Sequence, residues 1–208
     1  MKQLFLFLLL LVMFVSMANA QHDLSLYRKT VYSAGSSDAS FYPWYMYSGL
    51  VFVDARYNFD WDKTTGVFVG KSFGSDALSV VPTLGALFGP EYKGVSPQVY
   101  LMGKGETYAF TLLNQYSAGI SGNNSYLYNW YEVFICKPLD WLEVGGTEQT
   151  FYEFVDGSKV QMDIGPGIRA TLSNVSSSGF SMYGKVWYSV SPTDTDVSKL
   201  YFTVGTTF

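Results

Sequence analysis

The chain has 208 residues, with 13 Lys and Arg against 17 Asp and Glu, one histidine and a formal net charge of −4. That balance supplies no basic patch for nucleic acid, and the single cysteine, Cys136, excludes an intrachain disulfide. Aromatic residues reach 18% and charged residues only 14%, where a soluble domain carries about 25% charged residues.

The first twenty residues have the layout of a cleaved signal peptide. Lys2 gives a positive start, Leu4 to Val15 is an unbroken apolar run, and Ala18 and Ala20 place small residues where a signal peptidase cuts. No later apolar stretch approaches the roughly 20 residues that a membrane-crossing helix needs. An exported chain rich in Tyr, Phe, Trp and Gly and poor in charge then points to membrane-crossing strands, which hide an apolar face as every second residue.

Residues 21–44 read as an N-terminal arm or partial plug, with His22 as a solvated residue of that arm, and residues 45–208 as the barrel. The stretch 45–60 alternates: Tyr45, Tyr47, Val51, Val53, Ala55, Tyr57 and Phe59 share one parity, and Ser48, Asp54, Arg56, Asn58 and Asp60 the other. Leu50 and Phe52 interrupt the polar parity. Further strands are expected near 65–74, 77–89, 94–104, 106–118, 126–137, 140–152, 159–172, 179–190 and 199–208. The segment 126–137 is apolar on both parities, which predicts either two apolar faces or a register-switching bulge. The segment 159–172 alternates most cleanly, with Val160, Met162, Ile164, Pro166, Ile168, Ala170 and Leu172 in step. Its Gly165-Pro166-Gly167 predicts a bulge that re-aims Arg169.

Turn residues such as Asp62-Lys63-Thr64, Lys137-Pro138-Leu139-Asp140 and Asp156-Gly157-Ser158 join these strands closely. Short links make sequential antiparallel neighbours, hence an all-β, up-and-down transmembrane barrel of about ten strands, with eight or twelve as alternatives. Interfacial aromatics are expected at one rim from Tyr45, Phe73, Tyr108, Trp141, Phe180 and Phe208. Phe59, Trp61, Phe88, Tyr116, Phe151 and Tyr188 are expected at the other.

The last ten residues, Lys199 to Phe208, end on Phe208 with Val204, Phe202 and Leu200 in step behind it. They resemble the C-terminal strand signature of Gram-negative outer-membrane barrels, except that Thr206 stands where an aromatic is usual. The resemblance implies residence in a bacterial outer membrane, contact with its lipid and recognition by the barrel assembly machinery. Pro82 to Pro97, Tyr128-Asn129-Trp130-Tyr131-Glu132 and Trp141-Leu142 are similar to a group of small porin-like bacterial barrel proteins, across roughly 82–172. That similarity implies a fold and a location and carries no catalytic residue.

Charges avoid hydrocarbon, so Asp54, Arg56, Asp163, Arg169 and Lys185 are expected in the lumen, with Glu132, Glu143 and Glu148 as further candidates. No histidine lies in the barrel segment to serve a Ser-His-acid arrangement, so no catalytic residue is assigned. Asp60 with Asp62, and Asp194 with Asp196, are acidic pairs too small for a full Ca²⁺ shell, and no metal or cofactor is expected. Three readings remain: a narrow passive channel for small solutes, a non-conducting barrel with a packed polar interior, and a soluble exported barrel that binds a small ligand.

Overall fold

The computed structural model describes residues 21–33, 36–49, 51–58, 63–90, 92–154, 159–172 and 181–207. The predicted signal peptide and Phe208 lie outside the described residues. The described chain is all strand and connection: β1 (Gln21–Ser33), β2 (Ser36–Ser48), β3 (Phe52–Asn58), β4 (Thr64–Gly70), β5 (Phe73–Ser75), β6 (Leu78–Phe88), β7 (Lys93–Lys104), β8 (Ala109–Gly119), β9 (Ser125–Leu139), β10 (Leu142–Phe154), β11 (Lys159–Leu172), β12 (Ser181–Ser191) and β13 (Asp194–Thr207).

Apart from β4 and β5, which do not pair with each other, each strand pairs antiparallel with its sequence neighbours; β1 closes on β13, and β4 pairs with β6. Short β5 continues β4 along the same partner. Gly70 opposite Thr83 and Phe73 opposite Val80 hold one register, and Lys71 N–H donates to Pro82 C=O across the break at 3.4 Å. Pro82 has no N–H to return, which interrupts the ladder there. The architecture is therefore a closed up-and-down barrel of twelve strands with β4 and β5 acting as one. Closure leaves no unpaired edge, the condition for a sheet to sit in lipid.

Strand pleating decides which side chain goes where. On β6, Val81, Thr83 and Leu87 are buried, while Leu78, Val80, Leu84 and Phe88 are exposed. On β7, Ser96, Gln98 and Tyr100 are buried and Val95, Pro97 and Val99 exposed. The polar parity thus points inward and the aliphatic parity outward, the inverse of a soluble barrel. Leu84 is 61% exposed, and Val99, Ile164, Ile168, Phe202 and Val204 join it on an apolar outer band. Water disfavours such a surface by roughly 25 cal/mol per Å², whereas hydrocarbon accepts it.

The expected arm over 21–44 is not an arm. Its residues form β1 and most of β2, a hairpin paired from Gln21 opposite Ser48 to Ser33 opposite Ser36. With it, the ten expected strands become twelve. The predicted strand 45–60 is in turn two strands joined at residues 49–51. Tyr45 pairs with Ala55 and Tyr47 with Val53, so odd residues meet odd residues and the parity survives the turn. A hairpin of that register reads in sequence like one long strand.

Gly165-Pro166-Gly167 makes no bulge against β10: Thr147, Gly146 and Gly145 stand opposite the three in unbroken register. The glycines serve close packing instead. A Cβ at Gly165 would lie 1.7 Å from the Tyr188 carbonyl oxygen on β12. The β9 irregularity does exist, as register shifts of β10 between Leu142 and Gly145 against Leu139, Cys136 and Phe134.

Tyr45, Phe73, Tyr108 and Trp141 stand near the rim that carries the β2–β3 and β9–β10 connections, and Phe88, Tyr116 and Tyr188 near the opposite rim. Phe151 departs from expectation by packing inward on Tyr126, centroids 5.1 Å apart. Phe59, Trp61 and Phe180 lie outside the described residues.

Candidate functional site

The site is the barrel interior, built by the inward parity of all the long strands. Asp54 on β3 is fully buried. Its Oδ2 accepts from the Tyr100 hydroxyl at 2.6 Å and from Gln98 Nε2 at 2.8 Å, both on β7. Arg56, two residues along β3, lies 3.6 Å from that oxygen and donates through Nη2 to Gln98 Oε1 at 2.5 Å and Gln115 Oε1 at 2.6 Å. Its guanidinium also covers Phe68 and Trp44, 4.7 and 5.0 Å from their centroids. Phe68 can occupy that place because β6 carries Gly85 there, where a Cβ would come within 2.3 Å of the ring.

The other cations are paired in the same way. Lys185 Nζ on β12 donates to both Glu132 oxygens on β9, at 2.8 and 3.0 Å, with each side chain 7% exposed. Lys199 on β13 pairs with Asp163 on β11, and Arg169 on β11 with Glu143 on β10. The Tyr183 hydroxyl donates to the Asp23 carboxylate at 2.9 Å. The structure therefore places Asp54, Arg56, Asp163, Arg169 and Lys185 inside the barrel, in separate charge-compensated groups rather than one cluster.

Of the further acidic candidates, Glu132 and Glu143 face inward. Glu148 does not: it stands opposite Tyr131 and Ile164 on the outer parity. The reason is strand register. Thr147 and Gln149 point inward on β10, so Glu148 between them must point out.

Three tryptophans that carried no functional expectation meet inside the barrel. Trp44 on β2 meets Trp130 on β9 edge to face, at 5.6 Å and 83°. Trp130 meets Trp187 on β12 at 5.6 Å, and Trp187 stacks on Tyr201 of β13 at 4.6 Å and 8°. In the closed ring of twelve, β2 and β9 are six places apart. The Trp44–Trp130 contact therefore runs from one wall of the barrel to the wall opposite. Toward the β2–β3 rim the bridge continues into an apolar cluster with Phe52, Val81, Tyr100 and Leu113, and polar groups border that cluster. Gln149 receives the Tyr201 hydroxyl at 2.8 Å and donates to the Tyr128 hydroxyl at 3.0 Å. Asp54 Oδ1, Asp163 Oδ1, Ser189 Oγ and Thr203 Oγ1 are buried without a hydrogen-bond partner in the protein.

Of the assembly residues inferred from the C-terminal resemblance, Leu200, Phe202 and Val204 share the outer face of β13, with Phe202 and Val204 exposed. Phe208 lies outside the described residues, as do Asp60 and Asp62. The backbone of His22 pairs with Tyr47 in the β1–β2 hairpin. Among the described residues no group of three or more His, Cys, Asp or Glu gathers as metal ligands would.

A closed antiparallel barrel with an apolar exterior and ion pairs inside has the architecture of a transmembrane β-barrel. The comparison with solved structures agrees on the fold. The chain is similar to the NanC porin, with a TM-score of 0.55 at 11% identity, covering 89% of this chain and 98% of that one. It is also similar to the KdgM porin in complex with disordered oligogalacturonate, with a TM-score of 0.50 at 9% identity over 89% and 98% of the two chains. No known protein family matches the chain, and no curated protein does.

Proposed function

We propose that this chain is a passive porin-like channel of the bacterial outer membrane, with a narrow bore closed at rest by the Trp44–Trp130–Trp187 bridge. The observation that carries the reading is that bridge, a wall-to-wall contact made of side chains alone, within an apolar cluster that inward ion pairs border. Rings can part without breaking a strand ladder. A permanent plug would not need ion pairs, because an apolar packing of equal volume is often as stable or more so. Paired charges and unpartnered oxygens suit a passage that takes up water and small solutes once the rings separate. Cations Arg56, Arg169, Lys185 and Lys199 nearly balance Asp23, Asp54, Glu132, Glu143 and Asp163, so the passage favours small solutes of low net charge. No turnover is assigned to it.

The test is single-channel recording of refolded protein in a planar bilayer. Wild type should show low, brief openings, and Trp130→Ala, which removes the ring touching both other tryptophans, should raise the conductance. A wild-type conductance as large as that of Trp130→Ala, or a folded Trp130→Ala that stays closed, would overturn the reading.

A further inference from the structure

Among the described side chains, the outer face is polar at mid-strand on β8, β9 and β10. Asn114 sits near the middle of β8, Asn129 and Tyr131 in β9, and Glu148 and Thr150 near the middle of β10, all on the outward parity. Register brings them together. Asn114 faces Asn129, Asn129 faces Thr150, and Tyr131 faces Glu148. The Tyr131 hydroxyl donates to Asn114 Oδ1 at 2.6 Å, and the Thr150 hydroxyl donates to Glu148 Oε1. Glu148 Oε2 is shielded from solvent and has no hydrogen-bond partner. Around this island the outward residues are Val99, Leu112, Leu127, Val133, Met162 and Ile164.

Facing lipid tails costs such an island free energy, because tails offer no hydrogen bond and headgroups do not reach mid-strand depth. A protein cover that brings both donors and acceptors relieves that cost. We propose that the cover is a second copy of this chain, docked island to island about a two-fold axis. A two-fold contact sets one patch against itself, so the patch must be self-complementary. This one is: Asn114 is exposed, and its amide carries two N–H donors beside its oxygen. Across the axis the Asn114 amide of each barrel donates to the amide oxygen of the other, and the symmetry repeats the bond. The six apolar neighbours seal the rim, as polar residues inside an apolar interface do for membrane helices. The inference rests on the bilayer reading of the outer face and is independent of whether the lumen opens.

The experiment uses the full chain in lipid vesicles at high dilution, in a Cys136→Ser background, with a thiol cross-linker. Leu127→Cys and Val133→Cys flank the island, and Val204→Cys on β13 lies four places away around the ring. The expected result is a covalent dimer from the first two and none from the third. Combining Asn114→Leu, Asn129→Leu and Glu148→Leu should abolish the dimer while the barrel keeps its heat-modifiable gel mobility. Monomers throughout, equal cross-linking from Val204→Cys, dimers that survive the triple substitution, or a cross-link to a different protein in native membranes would each overturn the proposal. If the triple variant does not fold, the positional pattern of the three cysteines decides alone. A chain that stays monomeric yet still requires detergent separates failure of this proposal from failure of the membrane reading.

Discussion

The β6–β7 wall and the β8–β10 wall follow the same alternation and end with different surfaces. On β6 and β7 the outward residues Val80, Leu84, Val95 and Val99 are aliphatic, and the inward Thr83, Ser96 and Gln98 are polar. On β9 the inward parity is aromatic, with Tyr126, Tyr128, Trp130 and Phe134, and holds one acid, Glu132. The outward parity there and on β10 carries Asn129, Tyr131, Glu148 and Thr150. The pleat fixes only that neighbours face opposite ways. Which face is polar is decided by what each meets, and the β8–β10 wall meets an aromatic waist inside and a polar island outside.

The largest test of that difference is Glu132→Leu. Glu132 is buried against Lys185, and removing one partner of a buried pair leaves the other charge unpaired, at a cost of about 3–5 kcal/mol. Unfolding in detergent by urea titration reads this directly. A loss near zero would mean that water reaches Lys185 freely and that the waist is open at rest.

Next in size is an arginine on each outer wall. Leu84→Arg puts a charge among aliphatic neighbours in mid-strand and should destabilise the barrel by about 2–4 kcal/mol in lipid. Ile164→Arg, equally outward, stands opposite Glu148 and should cost measurably less, because the island supplies a counter-charge. Equal losses in lipid-vesicle unfolding would show that Glu148 does not reach the new guanidinium and would blunt the contrast between the walls.

The comparison also shows which features are legible in sequence. Strands β3 to β13 follow from alternation and turn residues together, since 126–137 is apolar on both parities; the inward placing of Asp54, Arg56, Asp163, Arg169 and Lys185 follows because charge and parity agree there. Two strands were hidden in residues 21–44, where the alternation is weaker and a turn at 49–51 preserves parity across the hairpin. The tryptophan bridge is not legible, because its rings come from β2, β9 and β12, and only closure of the barrel sets them face to face. The outward turn of Glu148 was available from Thr147 and Gln149 on either side of it. The expectation that acids avoid lipid overrode that local signal, and the residue that breaks the expectation is the one that marks the island.

The smallest expected effect is also the sharpest, because it reverses sign. Glu148→Leu makes the same chemical change as Glu132→Leu, and Tyr131, next to Glu132 along β9, stands opposite Glu148. Here the carboxyl faces outward, with Oε2 unpartnered. An acid on the lipid face costs less than the roughly 2–4 kcal/mol of a basic residue. Its removal should therefore stabilise the monomer in detergent by about 1 kcal/mol, by the same depth-dependent argument. In lipid at high protein density that gain should shrink or vanish, since a second barrel already takes the island out of the lipid. Urea titration in detergent and in vesicles, run side by side, gives both numbers. A loss of stability in detergent would place Glu148 in a contact within its own barrel, and the island would then be an internal feature of the β8–β10 wall.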